Sequence, residues 1–527
     1  MKGSVLGIDL GTTFSCAAHL VGGQPRVIFN QEGAAMTPSV VAFTATGETL
    51  VGTPALRQAV ANPQRTLTAV KRLMGRKLAD PVIREARARL PYALAAAPNG
   101  DVVIDAAGRT ITPQEVAALI LGHIKAYSEA YLGEVVRDAV ITVPAHFGEP
   151  QRQATKDAAE IAGLNVLRVI NEPTAASLAF GLGKDAAGKA VVIDMGGGTF
   201  DVTLLEIAGG IFQILATNGD SYLGGEDFDR RVADWALAAL KKDQGLDLSG
   251  DAYALQRIRE AAERAKRELS FTAETEINLP FLTTAPSGSK HFRKTLSRAL
   301  LEELTRDLVD RAFPLVEKTL AEARLGPADV TSVVLVGGQT RMPLLRDRVA
   351  AYFKRPAAAG VNPDESVALG AAVQSGILEG GFKDIVLLLD VTSQSLGIEI
   401  EKDGFEKIIE KNTTIPTKRT KTFTTVENDQ RLVRIHAVQG EFPIASANVS
   451  LATFDLIGLV PGPAGSAQIE VTFEIDANGL VKVTARDAQT GREQQVAVHP
   501  SSGLSKPQLD GLVRRERSRA SKGKGHE

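Results

Sequence analysis

Short apolar runs that end in turn residues open the chain and recur in its middle. Residues 4–50 contain four of them: Val5–Ile8, Cys16–Leu20, Arg26–Asn30 and Val40–Thr44. Residues 191–217 repeat the same alternation of run and turn. Short apolar runs bounded by turns are typical of buried strands. The pattern therefore predicts one strand meander in each of two similar halves.

Helical patterns follow each meander. Thr112, with a proline next to it and a glutamate three residues later, predicts a capped helix that ends near residue 131. A helix is also predicted at 150–163, and strands at 138–143 and 166–170 enclose it. Strand–helix–strand order predicts a mixed or parallel sheet with helices on its faces.

A further helix is predicted over residues 251–270. Polar side chains recur at spacings of three or four in its last turns: Glu263, Lys266, Arg267 and Ser270. Such spacing lets one helix face present all of them together.

The pattern changes near residue 384. Five apolar residues stand between Asp384 and Asp390, and apolar and polar positions alternate strictly over residues 468–475. Alternation is typical of a half-buried strand, and Asn478-Gly479 predicts a hairpin after it. The chain beyond the apolar run is therefore predicted to be a separate antiparallel β-sandwich.

Four segments follow from these patterns. We predict an α/β domain at 1–383, an apolar linker at 384–390 and a sandwich at 391–503. Residues 504–527 are predicted to form a short helical stub, with a basic and disordered tail from Arg514 onward, because the tail lacks apolar periodicity.

Composition and charge exclude some classes of function but do not identify one. Hydrophobic residues make up 44% and charged residues 23%, as in ordinary globular proteins, and the net charge is −2. This charge gives no electrostatic reason to expect nucleic acid or a membrane as partner. Cys16 is the only cysteine, which excludes an internal disulfide and fits a reducing compartment. No signal-peptide pattern stands at the N-terminus, so we expect a cytoplasmic location.

The candidate chemistry lies in a glycine turn between two carboxylates. The apolar run Val191–Ile193 is followed by Asp194, by three glycines at 196–198, by Thr199 and by Asp201. Glycines let backbone amides approach a ligand closely, and carboxylates suit a hard cation or its waters. The turn therefore predicts a site for phosphate and Mg²⁺.

This turn has two counterparts. Near the N-terminus, Gly7–Ser15 shares the order Ile-Asp-x-Gly with it, and Asp9 takes the place of Asp194. A third turn, within Val333–Pro343, again follows a buried strand with glycines and a hydroxyl. A motif repeated in two halves predicts two turns that face one ligand.

Together these residues carry a resemblance to the DnaK-type, seventy-kilodalton heat-shock chaperones, in a form that would lack most of the C-terminal helical lid. The motifs, in family order, are Ile8–Thr13, Asn171–Ala176, Ile193–Asp201, Gly224–Asp229, Val336–Pro343 and Asp384–Asp390. The resemblance extends over residues 3–505. It implies an actin-like, two-lobed ATPase domain (ribonuclease H-like) joined to an all-β sandwich that binds peptides.

The resemblance also implies roles for individual residues. The metal, held through water, would lie near Asp9, Asp194 and Asp201. The phosphates and the adenosine would be held by Gly11, Thr12, Thr13, Gly196, Gly197, Gly198, Thr199, Gly224, Gly225, Glu263, Lys266, Arg267, Ser270, Gly337, Gly338, Arg341 and Asp364. Catalysis would use Lys71, Glu172, Thr199 and Asp201, because phosphoryl transfer to water depends mainly on positioning and charge.

The same resemblance implies a route between the domains. Pro144 and Arg152 would form a switch, and the linker would comprise Val386, Leu387, Leu388, Leu389 and Asp390. The peptide groove would be lined by Leu396, Ile398, Phe423, Val426, Val433 and Ile435.

Ligands and partners follow as expectations of the resemblance. They are ATP or ADP with Mg²⁺, K⁺ as a further candidate ion, unfolded polypeptide segments, a J-domain co-chaperone and a GrpE-type nucleotide exchange factor. Two alternatives stay open: a non-cycling nucleotide-binding scaffold or exchange factor, and a small-molecule kinase on the actin fold. The kinase would not explain the sandwich, and the presence of Lys71, Glu172 and Thr199 argues against the scaffold.

This sequence departs from the family pattern at several positions. Ser393-Gln394 replaces the usual Pro-Leu after the linker, which bears on domain docking. Glu401 and Val426 stand where a small or apolar pair is usual over the groove, which bears on peptide specificity.

Overall fold

The structure is a computed structural model that describes residues 4–87, 90–181, 187–285, 288–381, 387–497 and 503–523. The elements up to residue 181 are β1 (Val5–Asp9), β2 (Phe14–Val21), β3 (Gln24–Ile28), β4 (Met36–Pro38), β5 (Val41–Phe43), β6 (Thr49–Val51), α1 (Thr53–Arg57), β7 (Thr66–Leu67), α2 (Pro81–Arg87), β8 (Ala93–Ala96), β9 (Val102–Asp105), β10 (Thr110–Ile111), α3 (Pro113–Leu132), β11 (Asp138–Val143), α4 (Glu149–Ile161), β12 (Asn165–Asn171) and α5 (Glu172–Gly181), with 3-10 turns at Pro63–Arg65 and Val70–Leu73.

These elements build a first lobe around a mixed sheet in the order β12-β11-β1-β2-β3. Strands β1, β11 and β12 run parallel, whereas β2 and β3 return antiparallel. The capped helix α3 begins as predicted, because Thr112 accepts from the Glu115 amide and Glu115 accepts from the Thr112 amide. The mixed sheet with covering helices is the architecture that the strand–helix–strand order predicts.

The next elements build a second lobe. They are β13 (Gly188–Met195), β14 (Phe200–Ala208), β15 (Ile211–Asp220), α6 (Gly225–Gln244), α7 (Ala252–Glu268), β16 (Glu274–Ala285), β17 (Gly288–Ser297), α8 (Arg298–Glu322), β18 (Ser332–Val336), α9 (Pro343–Phe353) and α10 (Ser366–Glu379), with 3-10 turns at Pro327–Asp329 and Gly338–Arg341. Strand β13 pairs parallel with β18 and antiparallel with β14, just as β1 pairs with β11 and β2. The two lobes therefore share one core arrangement.

Helices α5 and α10 pack against each other where the lobes meet. A Cβ on Gly370 would lie 1.6 Å from the carbonyl oxygen of Ala175, so the two backbones touch directly. On its other side α10 packs on β1, where a Cβ on Gly7 would lie 2.1 Å from the amide nitrogen of Ala372. Hydrogen is the only substituent that fits at either glycine.

The remaining elements are β19 (Leu387–Val391), β20 (Leu396–Ile400), β21 (Gly404–Ile409), β22 (Thr414–Ile415), β23 (Thr417–Phe423), β24 (Leu432–Gln439), β25 (Val449–Ile457), β26 (Ile469–Ile475), β27 (Val481–Asp487), β28 (Glu493–Ala497) and α11 (Lys506–Gly523), with 3-10 turns at Glu401–Asp403 and Ala445–Ala447. Two four-stranded sheets, β21-β20-β24-β25 and β23-β26-β27-β28, form the sandwich. Ile469, Val471 and Phe473 are fully buried between the sheets, as the alternation predicts.

The segment predicted as the linker becomes a strand of the second lobe. Leu387, Leu388 and Leu389 pair in parallel with Ile211–Gln213 of β15, and β22 of the sandwich pairs with β19 in turn. A single sheet thus runs from the second lobe into the sandwich. Val386 and Asp384 lie outside the described residues.

The C-terminal segment corrects one prediction. Residues 506–523 form one helix, so the disordered tail predicted from Arg514 onward is wrong as far as Gly523. Leu509, Leu512 and Val513 stand at helical spacing and pack against the hydrophobic core of the first lobe, together with Leu504. The helix is also held by an ion pair between Arg515 and Glu115 of α3. The apolar face consists of only these three residues, and the many arginines around them made it hard to detect in the sequence.

Among the helices that the structure describes, none combines the length and hydrophobicity needed to cross a bilayer.

Candidate functional site

A cavity of about 440 Å³ lies in the cleft between the two lobes. The three glycine turns converge on it from β1, β13 and β18. Of the residues predicted for the site, the following line it: Asp9, Gly11, Thr12, Thr13, Lys71, Glu172, Asp194, Gly196, Gly197, Thr199, Gly225, Glu263, Lys266, Arg267, Ser270, Gly337, Gly338, Arg341 and Asp364. The repeated motif thus places both halves around one space.

Two of the glycine turns press against each other across the cleft. A Cβ on Gly197 would lie 1.9 Å from Thr13 Oγ1, and one on Gly198 would lie 2.5 Å from Thr12 Oγ1. These glycines are required because the facing threonines leave no room for a side chain. The Thr13 hydroxyl is buried without a hydrogen-bond partner in the structure, so it is free to bind a ligand oxygen.

Helix α6 begins beside the second-lobe turn. Its first amide, that of Gly225, donates to the carbonyl of Gly196 at 2.9 Å, and a Cβ on Gly224 would lie 2.7 Å from the Gly197 backbone. Gly198 and Gly224 therefore shape the turn from behind and do not line the cavity. A helix N-terminus directed at a phosphate turn favours negative charge.

Three carboxylates lie at or just beneath the floor of the site: Asp9 is half-buried, and Asp194 and Asp201 are buried. Asp194 and Asp201 are cross-strand neighbours on β13 and β14, and Asp9 stands at the end of β1. The Thr142 hydroxyl donates to Asp9 at 3.3 Å, and the His146 amide donates to Asp201 at 3.0 Å. Asp201 lies behind the cavity wall.

The acids at the floor of the site carry more negative charge than the positively charged groups around them neutralise. Burial raises the pKa of Asp9 to about 7 and that of Asp201 to about 8, and it raises the pKa of Asp194 well above its ordinary value. Repulsion from Glu172 adds to each of these shifts. A bound cation would relieve this repulsion, so the donor set fits Mg²⁺. Within the described ranges, no three acids, histidines or cysteines are grouped closely enough to bind a metal directly.

Lys71 and Glu172 form a buried ion pair at the edge of the floor, with side-chain exposures of 8% and 9%. Lys71 comes from the 3-10 turn Val70–Leu73, and Glu172 is the first residue of α5. The Lys71 ammonium also lies 5.9 Å from the centre of the Phe147 ring. The pair places one positive and one negative group beside the glycine turns.

The far end of the cavity is polar on both sides. Glu263, Lys266, Arg267 and Ser270 of the α7 segment share one face, as their spacing predicts. Lys266 donates to the Gly225 carbonyl at 2.9 Å, which ties α7 to the start of α6. Arg341 pairs with Asp364 at 2.5 Å on the opposite side.

Several lining residues were not singled out from the sequence: Phe14, Met36, Glu226, Asp229, Phe271, Gln339, Met342, Pro363 and Val367. Glu226, Asp229 and Gln339 belong to motifs already quoted, so their motif membership was an available signal. Phe271 follows Ser270 directly, and its ring is 76% exposed. Met36 stands in no motif, and only the fold brings it to the cavity.

Of the two predicted switch residues, Arg152 lies behind the site and reaches the sandwich. Arg152 donates to the Asn171 side chain at 2.6 Å and to the carbonyl of Asn478, on the sandwich, at 3.5 Å. Asn171 in turn donates to both carboxylate oxygens of Asp390, at 3.1 and 3.0 Å. Because Asn171 precedes Glu172, these contacts run from the ion pair to the linker strand. Pro144 is buried at the end of β11.

The structure places some of the residues predicted for a peptide groove in the core of the sandwich and the others at or near its surface. Leu396, Ile398 and Ile435 are less than 5% exposed and belong to the core between the two sheets. They do not line an open groove in this arrangement, because their strands turn these positions inward. Phe423 and Val433 are half-buried at the core's margin, and Val426 is 57% exposed.

One comparison with known proteins bears on this site. The family model described as Hsp70 protein matches residues 5–527. The match includes every glycine turn, the ion pair, the linker strand and the sandwich.

Proposed function

The chain belongs to the Hsp70 family, and we propose that it is an ATP-dependent chaperone that couples hydrolysis to peptide binding. Members of this family combine an actin-like ATPase domain with a β-sandwich, which is the fold found here. We assign the ATPase domain to residues 1–383, the linker to 384–390, the peptide-binding sandwich to 391–503 and the C-terminal segment to 504–527.

The cavity between the lobes is the observation that supports ATP as the ligand. Its centre combines the unpartnered Thr13 hydroxyl and the glycine turns with a floor of acids, which suits a triphosphate with its cation. Its far end is lined by Glu263, Lys266, Arg267 and Ser270, which would hold the adenosine. When bound, Mg²⁺ would neutralise charge that develops on the phosphate oxygens.

Hydrolysis would rest on residues that position water and balance charge. Lys71 would hold the γ-phosphate and the attacking water, since its charge lowers the pKa of all three floor acids. Glu172 and Thr199 would orient the water and pass on its proton. Asp201 would fix the second-lobe strand under the turn, through the His146 amide.

The contacts behind the site support coupling to the sandwich. A change at Glu172 would reach Asp390 through Asn171, and a change at the phosphates would reach Asn478 through Arg152. We infer that ATP favours the docked linker strand seen here and that ADP favours its release. Release would also let the sandwich sheets rearrange, so that Leu396, Ile398 and Ile435 could form a groove with Phe423, Val426 and Val433.

Extended apolar segments of unfolded proteins are the proposed ligands of the sandwich. A J-domain protein that stimulates hydrolysis and a GrpE-type exchange factor are the proposed partners, in the cytoplasm.

Turnover of Mg²⁺-ATP with and without an extended apolar peptide tests the proposal. We expect slow hydrolysis that rises when peptide is added. Binding of nucleotide without any hydrolysis would favour the non-cycling alternative. Transfer of phosphate to an added sugar or acetate would favour the kinase and overturn the proposal.

A further inference from the structure

Arg72 stands next to Lys71 on the same 3-10 turn, but its side chain contacts different residues. Lys71 points to Glu172, whereas the Arg72 side chain crosses the cleft and contacts only second-lobe groups among the partners that the structure gives it. It is 13% exposed, so these contacts are formed largely away from water. A first-lobe cation is thus inserted into the second lobe one residue away from the proposed catalytic lysine.

The guanidinium binds two second-lobe features at once. Its Nε and Nη2 atoms donate to the carbonyl of Gly198 at 3.1 and 2.7 Å. Its Nη2 atom also lies 2.7 Å from Asp227, and its Nη1 atom lies 3.4 Å from Glu226. The planar fork of arginine allows this pattern, which the single ammonium of lysine cannot reproduce.

Both features support the second-lobe side of the cavity from behind. Gly198 lies in the glycine turn of the second lobe. Asp227 caps α6, because its carboxylate accepts from the Gly224 amide at 3.0 Å. Arg72 therefore holds the turn and the helix start in one fixed position relative to Lys71.

A second contact crosses the cleft at the same place. The Tyr222 hydroxyl, on the second lobe, donates to the backbone carbonyl of Arg72 at 2.8 Å. The Tyr222 ring lies 5.5 Å from the Arg72 guanidinium and 5.7 Å from that of Arg76. Cation–π contact of this kind adds to the ion pair. We call Arg72, Tyr222 and Asp227 the clasp.

We propose that the clasp holds the lobes closed over the nucleotide and that Arg72 is the positioning residue that limits nucleotide release. Nucleotide in the cavity is enclosed by both lobes, so it leaves only when they separate. Separation must break every contact of the clasp, and a hydrogen bond to a charged group is among the stronger ones in proteins. The inference rests on the proposed function, since it assumes that the cavity holds a nucleotide.

The test is the dissociation rate of a fluorescent ADP analogue from the full chain in the presence of Mg²⁺. We expect Arg72→Ala to release it about ten- to a hundredfold faster, because each charged hydrogen bond of this kind is worth roughly a tenfold factor or more. Asp227→Asn keeps the cap oxygen but removes the charge, so it should give a smaller acceleration. Tyr222→Phe removes only the hydroxyl and should also accelerate release.

A double mutant separates the clasp from a general loss of stability. Arg72→Ala combined with Asp227→Asn should release the analogue no faster than Arg72→Ala alone, because both changes break the same contact. Arg231→Lys is the matched control, since Arg231 pairs with Asp307 within the second lobe and should leave release unchanged. Additive effects of the two changes would overturn the proposal.

Two outcomes tell the failure of the clasp from the failure of the proposed function. If the wild type does not bind the analogue, the proposed function and the clasp both fall. If the wild type binds it and Arg72→Ala releases it within about twofold of the wild-type rate, the clasp alone falls. Should Arg72→Ala not fold, the rates of Asp227→Asn and Tyr222→Phe decide, and wild-type rates in both overturn the proposal.

Discussion

At the scale of single residues, Lys71 is the cation that faces the carboxylate floor most directly. Its ammonium pairs with Glu172 and lowers the pKa of Asp9, Asp194 and Asp201 against the effect of burial. The far end of the cavity, where the adenosine would lie, is lined by other side chains. In the proposed nucleotide complex, Lys71 would therefore contribute to the charge balance at the phosphates more than to nucleotide affinity.

We expect Lys71→Ala to lower the rate of ATP hydrolysis about a hundredfold or more, because it removes a positioning charge from the reacting group. Nucleotide affinity should change far less. A single-turnover assay beside a binding titration measures the two separately. Lys125→Ala, which breaks a surface pair with Glu129 on α3, is the control. Equal turnover in Lys71→Ala and the wild type would contradict the assignment.

The residue scale is also where the sequence was most informative. The glycine turns and their acids identify themselves by a repeated order, and Gly197 and Gly198 prove to be sterically required. Leu396 and Ile398, by contrast, are apolar residues in a strand, a pattern that fits a groove and a core equally well. Only the packing of two sheets decides between them, and here it places both in the core.

At the scale of elements, the contact between α5 and α10 fixes how the lobes meet. The closest approach is at Gly370, against the Ala175 carbonyl. A side chain there would force the helices apart, and every element packed behind them would have to move.

Gly370→Ala should therefore destabilise the protein by about 1–3 kcal/mol or more, as overpacking does. Gly122 supplies the matched control, because it lies within α3 with no atom near its added Cβ. Gly122→Ala should stabilise the protein by about 0.5–1 kcal/mol, since alanine favours helix. Chemical denaturation of both variants measures whether the free energy of unfolding falls in the first and rises in the second. Destabilisation of equal size in both would refute the claim that close packing at Gly370 excludes a side chain.

The linker strand offers a second contrast between neighbours. Leu388 packs with Phe212 and the second-lobe core, whereas Leu387 is 44% exposed. Leu388→Asp should uncouple peptide from hydrolysis while basal turnover persists, because the strand loses its apolar anchor. Leu387→Asp should keep most of the coupling. Peptide-stimulated and basal ATPase rates of both variants decide, and stimulation that survives Leu388→Asp would count against docking.

Elements with strong local signals were predictable: the capped helix α3, the hairpin at Asn478 and the alternating strand β26. A short helix was also predicted at the C-terminus, but the full length of α11 and its packing were not, because its apolar residues pack on a lobe that is more than three hundred residues away in the chain. A pattern inside one segment carries no information about a surface formed elsewhere. For the same reason, Met36 could not be predicted to line the site.

At the scale of the whole molecule, polar contacts join the sandwich to both lobes. Lys411 lies 2.9 Å from Glu322 of α8 and donates to Asn218 of β15 at 2.6 Å. On the first lobe, the Glu149 amide donates to Gln439 of the sandwich at 2.9 Å. The Glu149 side chain is 2% exposed, and one of its oxygens has no hydrogen-bond partner.

This burial makes docking depend on pH. Burial raises the pKa of Glu149 from its usual 4.5 to about 8, and the nearby charges of Arg152, Asp476 and Lys156 change it less. The docked state therefore binds a proton that the undocked state releases, so docking weakens as the pH rises from about 4.5 to about 8. We expect amides of β19 to exchange hydrogen more slowly at pH 6 than at pH 8, after correction for intrinsic rates.

Glu149→Gln is the control, because it keeps the shape and removes the titration. Its β19 amides should show the same protection at both pH values. An equal pH dependence in Glu149→Gln and the wild type would assign the effect to another group.

The position of β19 has a consequence for the aggregation of the protein itself. Strand β15 has β14 on one side and β19 on the other, so β19 is what covers its free backbone groups. An uncovered edge strand pairs readily with any extended chain, including a second copy of the same protein. If ADP releases the linker as proposed, each release would expose two features that favour aggregation: an open sheet edge and a row of leucines. The protein would then have to limit its own aggregation while the linker is undocked, and rapid redocking after nucleotide exchange would provide that protection.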